Sequence, residues 1–323
     1  MRLLRTMLLL ALLPIFLLGL TAQALTFNVD CRLATHLPIN AVVAKIAARN
    51  PLGPNTITVT GNCHENVVIS SLDNLTLQAS SLGATITDAS SGTLDTLVVV
   101  DSGRFALNGF TINGSVNCAN NAVCRLAGNT IQNSQVGYGL RASRAHVDSQ
   151  NDSINNNPSG VGVIVTNDSR VVLVDDTISN NGSHGIQVFD DAFVFLANNA
   201  TTTTVSNNGG FGVLATANGT VRLSVAHVTG NAFDGIRIIN GSVMRTDFVS
   251  PFVNNITGNG GAGVHVGDLS HVFFANDGSM NITGNLSGTD VFCTGQFSAT
   301  RNVGATGGVT NCVESVPDLR ENK

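Results

Sequence analysis

The stretch TISNNGSHGIQV (177–188) decides the fold, because variants of it return through the second half of the chain. Its last four letters belong to a set of six similar words, each beginning with glycine. The steps between successive glycines are 23, 23, 27, 23 and 28 residues. A period in the twenties with short strand-like words predicts a solenoid. The words are GLRA (139–142), GVIV (162–165), GIQV (185–188), GVLA (212–215), GIRI (235–238) and GVHV (263–266).

Each copy carries two further apolar words, and the three words together predict one coil of a helix made of strands. SRVVLV (169–174) and TVRLSV (220–225) are second words, and TISNN (177–181) and HVTGN (227–231) are third words. Turn-forming Asn, Gly, Ser and Asp separate them. We therefore predict a parallel β-helix whose coils stack about 4.8 Å apart, each strand pairing with the coils on either side.

An asparagine stands three residues past the β-branched residue of every third word. Amides stacked at the coil spacing can hydrogen-bond along the axis, and Asn also tolerates a tight corner. We predict that these side chains form a structural asparagine ladder. Its members are Asn157, Asn181, Asn208, Asn231, Asn259 and Asn285.

The first 24 residues have the pattern of a cleaved export signal. Arg2 and Arg5 precede an apolar run at 7–20, and AQA at 22–24 offers small residues at a cleavage site. The run is shorter than the roughly 20 residues that a spanning helix needs. We predict export to the periplasm or beyond the cell, with no integral membrane segment after signal cleavage.

We expect four divisions of the chain: a signal peptide at 1–24, an N-terminal cap at 25–54, the β-helix at 55–292, and a C-terminal cap and tail at 293–323. In the first cap, LPINAVVAKIAARN (37–50) spaces its apolar residues as an amphipathic helix does. Such a helix can cover the open end of a solenoid, which otherwise offers a bare edge for aggregation.

The six cysteines suit an exported, disulfide-bonded chain. Six cysteines allow about fifteen connectivities, and their three sequence neighbourhoods favour one of these. The sequence contains no C-x-x-C spacing, so the cysteines do not indicate a metal site. The favoured pairs are Cys31 with Cys63, Cys118 with Cys124, and Cys293 with Cys312.

The words from Gly139 to Val291 and the opening NTITVTGNCHENVVI (55–69) resemble the bacterial right-handed parallel β-helix repeat proteins of the pectin-lyase-like superfamily. The likeness covers most of the mature chain. It implies an all-β fold, a right-handed parallel β-helix with three short strands per coil and an N-terminal capping helix. The superfamily holds pectate lyases, polygalacturonases, epimerases, tailspikes and surface proteins, so activity must be argued from a site.

In enzymes of that superfamily the chemistry lies on the outer face of one sheet and in its adjoining turns. The outward positions of the first words are Arg141, Ile164, Gln187, Leu214, Arg237, His265 and Phe292. Arg237 and His265 fall on consecutive coils, about 5 Å apart by strand spacing. Acids follow the strands in equivalent turns. The catalytic candidates are therefore Asp168, Asp190, Asp191, Arg237, His265 and Asp268.

Two chemistries can be assigned to these candidates. Calcium-assisted β-elimination needs carboxylate ligands and a base, roles open to Asp190, Asp191 and Arg237. Inverting hydrolysis needs two carboxyls about 6.5–9.5 Å apart, which Asp168 and Asp190 can approach. The polygalacturonase-like words N-T-D, G-x-D-D and G-H-G are absent, however. Solvated turn acids are the simpler interpretation, and turn chemistry likewise explains the pair at 175–176.

Composition narrows the partners. Only 11% of residues are charged and the net charge is −5, which argues against nucleic acid. There is no Trp and one Tyr, Tyr138, which weighs against a strong sugar-stacking groove. We expect the Phe residues to stack mainly in the core, including Phe193 with Phe195 and Phe273 with Phe274, one of each pair being free to face outward.

Two hypotheses of function follow. The favoured one is an exported, non-catalytic surface scaffold or binding module whose ligand is polysaccharide, because no recognisable catalytic constellation is present. The alternative is a carbohydrate-active enzyme, a polysaccharide lyase or glycoside hydrolase, acting on acidic polysaccharide. No cofactor or metal is predicted, except calcium for a lyase. Enzymatic activity and oligomeric state are left open by the sequence.

Overall fold

The computed structural model describes residues 24–247, 253–276, 278–295 and 298–313. The predicted signal peptide therefore lies outside the described residues apart from its last position, and so do residues 314–323 of the predicted tail. Among the described residues, no helix is long and apolar enough to cross a membrane.

The described chain forms thirty strands, one α-helix, α1 (Ile39–Arg49), and one short 3-10 helix (Val303–Ala305). In chain order the strands are β1 (Leu25–Asp30), β2 (Asn55–His64), β3 (Val67–Ser70), β4 (Leu75–Thr87), β5 (Leu97–Val100), β6 (Phe105–Asn108), β7 (Phe110–Asn113), β8 (Val116–Ala119), β9 (Val123–Ala127), β10 (Thr130–Gln132), β11 (Tyr138–Ser143), β12 (His146–Gln150), β13 (Ser153–Asn155), β14 (Val161–Thr166), β15 (Arg170–Val174), β16 (Thr177–Ser179), β17 (Ile186–Val188), β18 (Phe193–Ala197), β19 (Thr203–Ser206), β20 (Val213–Ala215), β21 (Thr220–Leu223), β22 (Ala226–Thr229), β23 (Ile236–Ile238), β24 (Val243–Thr246), β25 (Asn254–Thr257), β26 (Val264–Val266), β27 (His271–Phe273), β28 (Met280–Thr283), β29 (Val291–Cys293) and β30 (Ala299–Arg301).

The strands pair in parallel into two sheets, which makes the chain a parallel β-helix of about ten coils. The ten-stranded sheet takes one strand from each coil, in the order β29-β26-β23-β20-β17-β14-β11-β8-β5-β3, and we call these the first strands. The twenty-stranded sheet holds the second strands, β6, β9, β12 and onward in threes to β30, the third strands, β7, β10, β13 and onward in threes to β28, and β1, β2 and β4. The predicted three strands per coil are confirmed.

The core is a stack of aliphatic side chains along the axis of the solenoid. Within a strand, alternate side chains point inward, as a period of two requires. In the first strands, Ile186, Val213, Ile236 and Val264 stand in register on four consecutive coils, and all are fully buried. Since each inward residue packs on the same position of its neighbours, the repeat of the sequence follows from the repeat of the core.

The glycine that begins each repeated word is needed for close packing at one corner. A Cβ added at Gly212 would lie 2.5 Å from the Gly235 carbonyl oxygen, 2.5 Å from Val228 Cγ1 and 2.7 Å from Asn231 Nδ2. No side chain fits there, so the corner accepts only glycine until the last coil, where Asp290 takes the position.

The asparagine ladder forms beside these glycines. Each ladder residue from Asn157 to Asn259 donates its backbone N–H and its Nδ2 to the Oδ1 of the next one, with Nδ2···Oδ1 distances of 2.9–3.0 Å. From Asn181 onward, Nδ2 also donates to a backbone carbonyl of the coil before. Asp290 ends the ladder, since its Oδ1 accepts Asn285 Nδ2 at 2.9 Å.

Both ends of the solenoid are tied down. Helix α1 buries Ile39, Val42, Val43 and Ile46, and the Glu65 carboxylate accepts two N–H groups of its first turn. Disulfides at the two ends link Cys31 to Cys63 and Cys293 to Cys312, and a third links Cys118 to Cys124 within the solenoid. All three are the pairs favoured by sequence order.

Candidate functional site

The outward row of the first strands is continuous across the ten-stranded sheet. The residues from Arg141 to Phe292 named in the sequence stand in register on consecutive coils, and the row extends back through Asn117, Val98 and Val68. Its charged members are Arg141 and Arg237, with no acid in the row. Arg237 and His265 are directly paired. The row offers two fixed positive charges on a largely neutral strip.

A polar cluster surrounds Arg237 near the C-terminal end of this row. Asp234 precedes Gly235 at the corner, and its Oδ1 accepts the Ala262 N–H at 2.8 Å. Its Oδ2 lies 3.1 Å from His265 Nδ1 and 3.5 Å from Arg237 Nη1. Asp234 is 8% exposed and His265 is 9% exposed. A carboxylate this buried is stable only because cationic and N–H groups surround it.

The hydrogen bonds of His265 form a chain through its ring. Nδ1 faces the Asp234 carboxylate, and Nε2 lies 2.7 Å from Thr294 Oγ1. When Nδ1 donates to the carboxylate, Nε2 is left to accept the Thr294 hydroxyl proton. The chain Asp234–His265–Thr294 therefore holds a histidine in one orientation and links it to a hydroxyl.

Aromatic rings support the cluster on one side. The Arg237 guanidinium lies 5.1 Å from the centroid of the Phe211 ring, within cation–π range. Phe211 in turn stacks on His184 with centroids 5.0 Å apart, and its backbone N–H donates to His184 Nδ1. Burial lowers the pKa of His184. His184 is thus a neutral packing partner, and the single fixed cation here is Arg237.

Asp234, Arg237 and His265 line a hollow of about 220 Å³. Its walls combine charged, hydroxyl and ring groups from three consecutive coils: Asp234, Arg237, Ala262, His265, Ser287, Thr289 and Phe292. A concave site with a few convergent polar groups is the usual form of a small-ligand site. An arginine can hold a carboxylate there, and the histidine can accept or donate a proton.

A second polar cluster lies four coils away, around Arg141. The Tyr138 hydroxyl donates to Asp95 Oδ1 at 2.7 Å, and Asn117 Nδ2 donates to Asp95 Oδ2 at 2.8 Å. The Arg141 guanidinium lies 5.8 Å from the Tyr138 ring centroid. Burial and the neighbouring carboxylate raise the pKa of Tyr138. By strand spacing the two arginines are about 19 Å apart.

The four acids suggested by the sequence occupy the corner after the first strands. Asp168, Asp190, Asp191 and Asp268 are exposed, and each has a left-handed backbone with φ between 48° and 60°. Asp residues are among the few that adopt this conformation readily, so the turn itself accounts for them. Asp168 N–H donates to the Asp190 carbonyl at 3.0 Å, which places these two on adjacent coils.

Asp190 and Asp191, the acids that the sequence analysis combined with Arg237, are on a different part of the surface from it. Asp190 and Asp191 follow β17, whereas Arg237 is on β23, two coils further on, or about 10 Å along the axis. Asp234, which lies against Arg237, was not among the sequence candidates. Its one signal was its place immediately before a word-initial glycine, a position that Tyr138, His184 and Phe211 share in other coils.

Side chains of the types that bind metals do not cluster in the described part of the chain. Among its residues, no group of three or more His, Cys, Asp or Glu side chains is placed to hold a metal ion. The hollow has one carboxylate, already engaged by an arginine, a histidine and an N–H group. Its donor set is suited to an organic ligand.

Comparison with known proteins agrees with this architecture. Residues 95–250 match the family described as right handed beta helix region. The A-module of the Azotobacter vinelandii mannuronan C-5 epimerase AlgE6 has a TM-score of 0.58 and 15% identity, covering 82% of this chain and 79% of that one. No curated protein matches the sequence.

Two further solved structures match less closely. The Dettilon tailspike protein gives a TM-score of 0.42 at 12% identity, covering 84% of this chain and 64% of its own. The periplasmic alginate epimerase AlgG gives 0.38 at 11% identity, covering 76% and 66%. The family match over residues 95–250 and the likeness to the AlgE6 module agree that the fold is a right-handed parallel β-helix. The predicted resemblance holds for the fold, which is all that likeness at these identities shows.

Proposed function

We propose that this chain is an exported β-helix protein that binds an acidic polysaccharide along the outward row of its ten-stranded sheet. The three disulfides support an oxidising compartment, and the predicted signal peptide agrees with it. The fold is shared with a mannuronan C-5 epimerase module, a protein named for a uronate polymer. Binding without turnover is the favoured form of the proposal.

The observation that carries the proposal is the setting of Arg237. Its guanidinium rests on Phe211 at the edge of a hollow of about 220 Å³, beside His265. A guanidinium held this way can bind a uronate carboxylate through two parallel N–H bonds. Phe292, whose ring meets His265 edge-on with centroids 5.1 Å apart, offers an apolar surface to the sugar ring.

The test is a comparison of ligands and variants by calorimetry. Short oligouronates and neutral glucan oligomers of equal length are titrated into the folded protein. We expect binding of the uronates alone, and at least a tenfold weaker affinity in Arg237→Ala. Arg104→Ala is the matched control, since Arg104 pairs with Asp73 outside the row. Equal binding of neutral and acidic oligomers, or an unchanged Arg237→Ala, would contradict the proposal.

A second candidate function is catalysis on the same polymer. The observation that favours it is the Asp234–His265–Thr294 chain, which orients a histidine next to an arginine. Uronate polymers are incubated with and without calcium, and new reducing ends, unsaturated products and exchange of the hydrogen on ring carbon 5 are followed. Turnover that His265→Ala abolishes would establish this candidate. Binding with no turnover supports the favoured form.

A further inference from the structure

The outward face of the second strands combines arginine and phenylalanine in an unusual way. Phe195, Arg222, Arg245, Phe273 and Arg301 follow one another in register on five consecutive coils. The prediction that Phe193 and Phe195 pack in the core is wrong, because both point outward and are half-buried. For the other predicted pair, Phe274 is buried and Phe273 is 41% exposed.

Two of the phenylalanines on this face, Phe193 and Phe195, support arginines. The Arg170 guanidinium lies 4.7 Å from the Phe193 ring centroid, and the Arg222 guanidinium lies 4.5 Å from that of Phe195. Arg222 is also fixed by Asp247 at 2.7 Å. Asp247 occupies the N–H edge of Arg222, whereas the Phe193 ring beneath Arg170 fixes that guanidinium from its face and leaves its N–H edge available to an anion.

The charge on this face opposes that of the whole protein. The chain has a net charge of −5. Five of the 12 Lys and Arg residues that the structure describes lie on the two outward rows of the second strands: Arg125, Arg170, Arg222, Arg245 and Arg301. Those rows contain one acid, Asp148, which is paired with His146 at 2.9 Å, and Asp247 beside them pairs with Arg222 at 2.7 Å. The fold needs only the inward residues, so this concentration calls for another cause.

The face is long and has a hollow near each end. From Arg125 to Arg301 it crosses eight coils, about 34 Å by strand spacing. A hollow of about 550 Å³ includes Arg144 and Arg170, and one of about 620 Å³ includes Arg245, Phe273 and Arg301. Such a surface suits an extended polymer better than a compact ligand.

We propose that this face is a docking surface for a long acidic polysaccharide chain, separate from the hollow at Arg237. This inference rests on the proposed function. The hollow at Arg237 binds a few sugars of the polymer, and this face binds the part of the chain that extends beyond them. Arginines and apolar residues share this face, which suits a polymer that carries spaced carboxylates and apolar ring faces. Nucleic acid is disfavoured, because its denser phosphates call for a concentrated basic patch on a protein that is not acidic overall.

The experiment compares a long uronate polymer with a short oligomer of the same sugar. The variant is Arg170→Ala/Arg245→Ala, two exposed positions on different coils, and Arg32→Ala/Arg104→Ala is the control. We expect the face variant to bind the polymer at least tenfold more weakly, with a smaller salt dependence. Its affinity for the oligomer at Arg237 and its thermal midpoint stay as in the wild type.

Each other outcome overturns one statement only. If the wild type binds neither polymer nor oligomer, the proposed function fails. If the wild type binds both and the face variant holds the polymer as tightly as before, the docking surface fails while the function stands. If duplex DNA of equal charge binds the wild type as well as the polymer does and is released by the same variant, the face is a general polyanion surface and the sugar assignment fails.

Discussion

Two buried corners of the solenoid solve the same packing problem with different chemistry. At one corner, the asparagine ladder runs from Asn157 to Asn285 with a neutral amide in every coil. At the other, after the second strands, the stack reads Asn129, Asp152, Asp176 and Thr203. Asn129 Nδ2 donates to Asp152 Oδ1 at 2.9 Å, and the Asp152 N–H donates to Asp176 Oδ1 at 2.7 Å.

The difference shows what a stack of side chains between coils requires. An amide both donates and accepts, so identical Asn residues satisfy one another indefinitely. An ionised carboxylate only accepts, and two of them on adjacent coils repel. Burial raises the pKa of Asp152 to about 6, and burial together with the Asp152 charge raises the pKa of Asp176 to about 8. Asp176 therefore keeps its proton at neutral pH.

The asparagine ladder should not tolerate a single acid. In Asn208→Asp the new carboxylate loses the two bonds that Nδ2 makes, to Asn231 Oδ1 at 2.9 Å and to the Ile178 carbonyl. We expect a loss of about 3–5 kcal/mol in the free energy of unfolding at pH 7, because an uncompensated charge is left buried. Denaturant unfolding of the variant and the wild type measures this difference in free energy.

The pH dependence of that loss is its control. At pH 4 and below, where a raised-pKa carboxyl is protonated, Asn208→Asp should recover much of its stability relative to the wild type. A loss of stability that is small, or that is equal at pH 4 and pH 8, would mean that the hydrogen bonds donated by the ladder amides do not stabilise the fold.

The aspartate corner should respond in the opposite sense. Asp176→Asn removes the group whose folded pKa is raised from 3.8 to about 8. The contribution of this group to stability is then fully present below pH 4 and is lost as pH rises through about 8. An Asn can donate to the coil before, as Asn129 Nδ2 does to the Leu107 carbonyl at 2.9 Å.

We therefore expect Asp176→Asn to be more stable than the wild type at pH 8, by about 2–4 kcal/mol, and to show little gain at pH 4. A four-unit shift represents roughly 5–6 kcal/mol, and part of this is offset because the new amide must also pair its own N–H groups. Thermal melts at pH 4, 6 and 8 give the comparison. A variant whose stability falls with pH as steeply as the wild type would show that Asp176 is not the group responsible.

The sequence revealed the first corner and not the second for a physical reason. The six Asn recur at one position of a repeated word, so the period alone identified them. The aspartates occur in two coils only, in SQNDSI and VDDTIS. The sequence did not single out Asp152, and the interpretation of the pair at 175–176 as turn acids is wrong for Asp176, which is buried in the stack. Whether a carboxyl at a corner points into the stack or toward solvent depends on the backbone conformation of that corner, which the residue types do not determine.

The same limit applied to the outer surface. Strand register follows from the words, so the pairing of Arg237 with His265 was predicted correctly. Asp234 was missed because it sits at a corner, where no alternation tells which way a side chain points. The arginine face was missed because the resemblance places functional residues beside the first strands, and because Phe193 and Phe195, which point outward, were expected in the core.

Asp175, next to Asp176, provides the smallest effect and the closest comparison. It has a left-handed backbone with φ of 58°, and its carboxylate accepts the N–H groups of Asn199, Ala200 and Thr201 at 2.8–3.0 Å. These bonds outweigh burial and lower its pKa below the usual 3.8.

Its contribution is therefore present above pH 4 and is lost as pH falls below that. Asp175→Asn keeps the backbone conformation and weakens the charge-assisted bonds, so we expect about 1–2 kcal/mol of destabilisation at pH 7, shrinking toward pH 3. Adjacent aspartates would then shift stability in opposite directions in the same melts, and an equal sign for Asp175→Asn and Asp176→Asn at pH 8 would refute the assignment of one to a backbone cradle and the other to a buried stack.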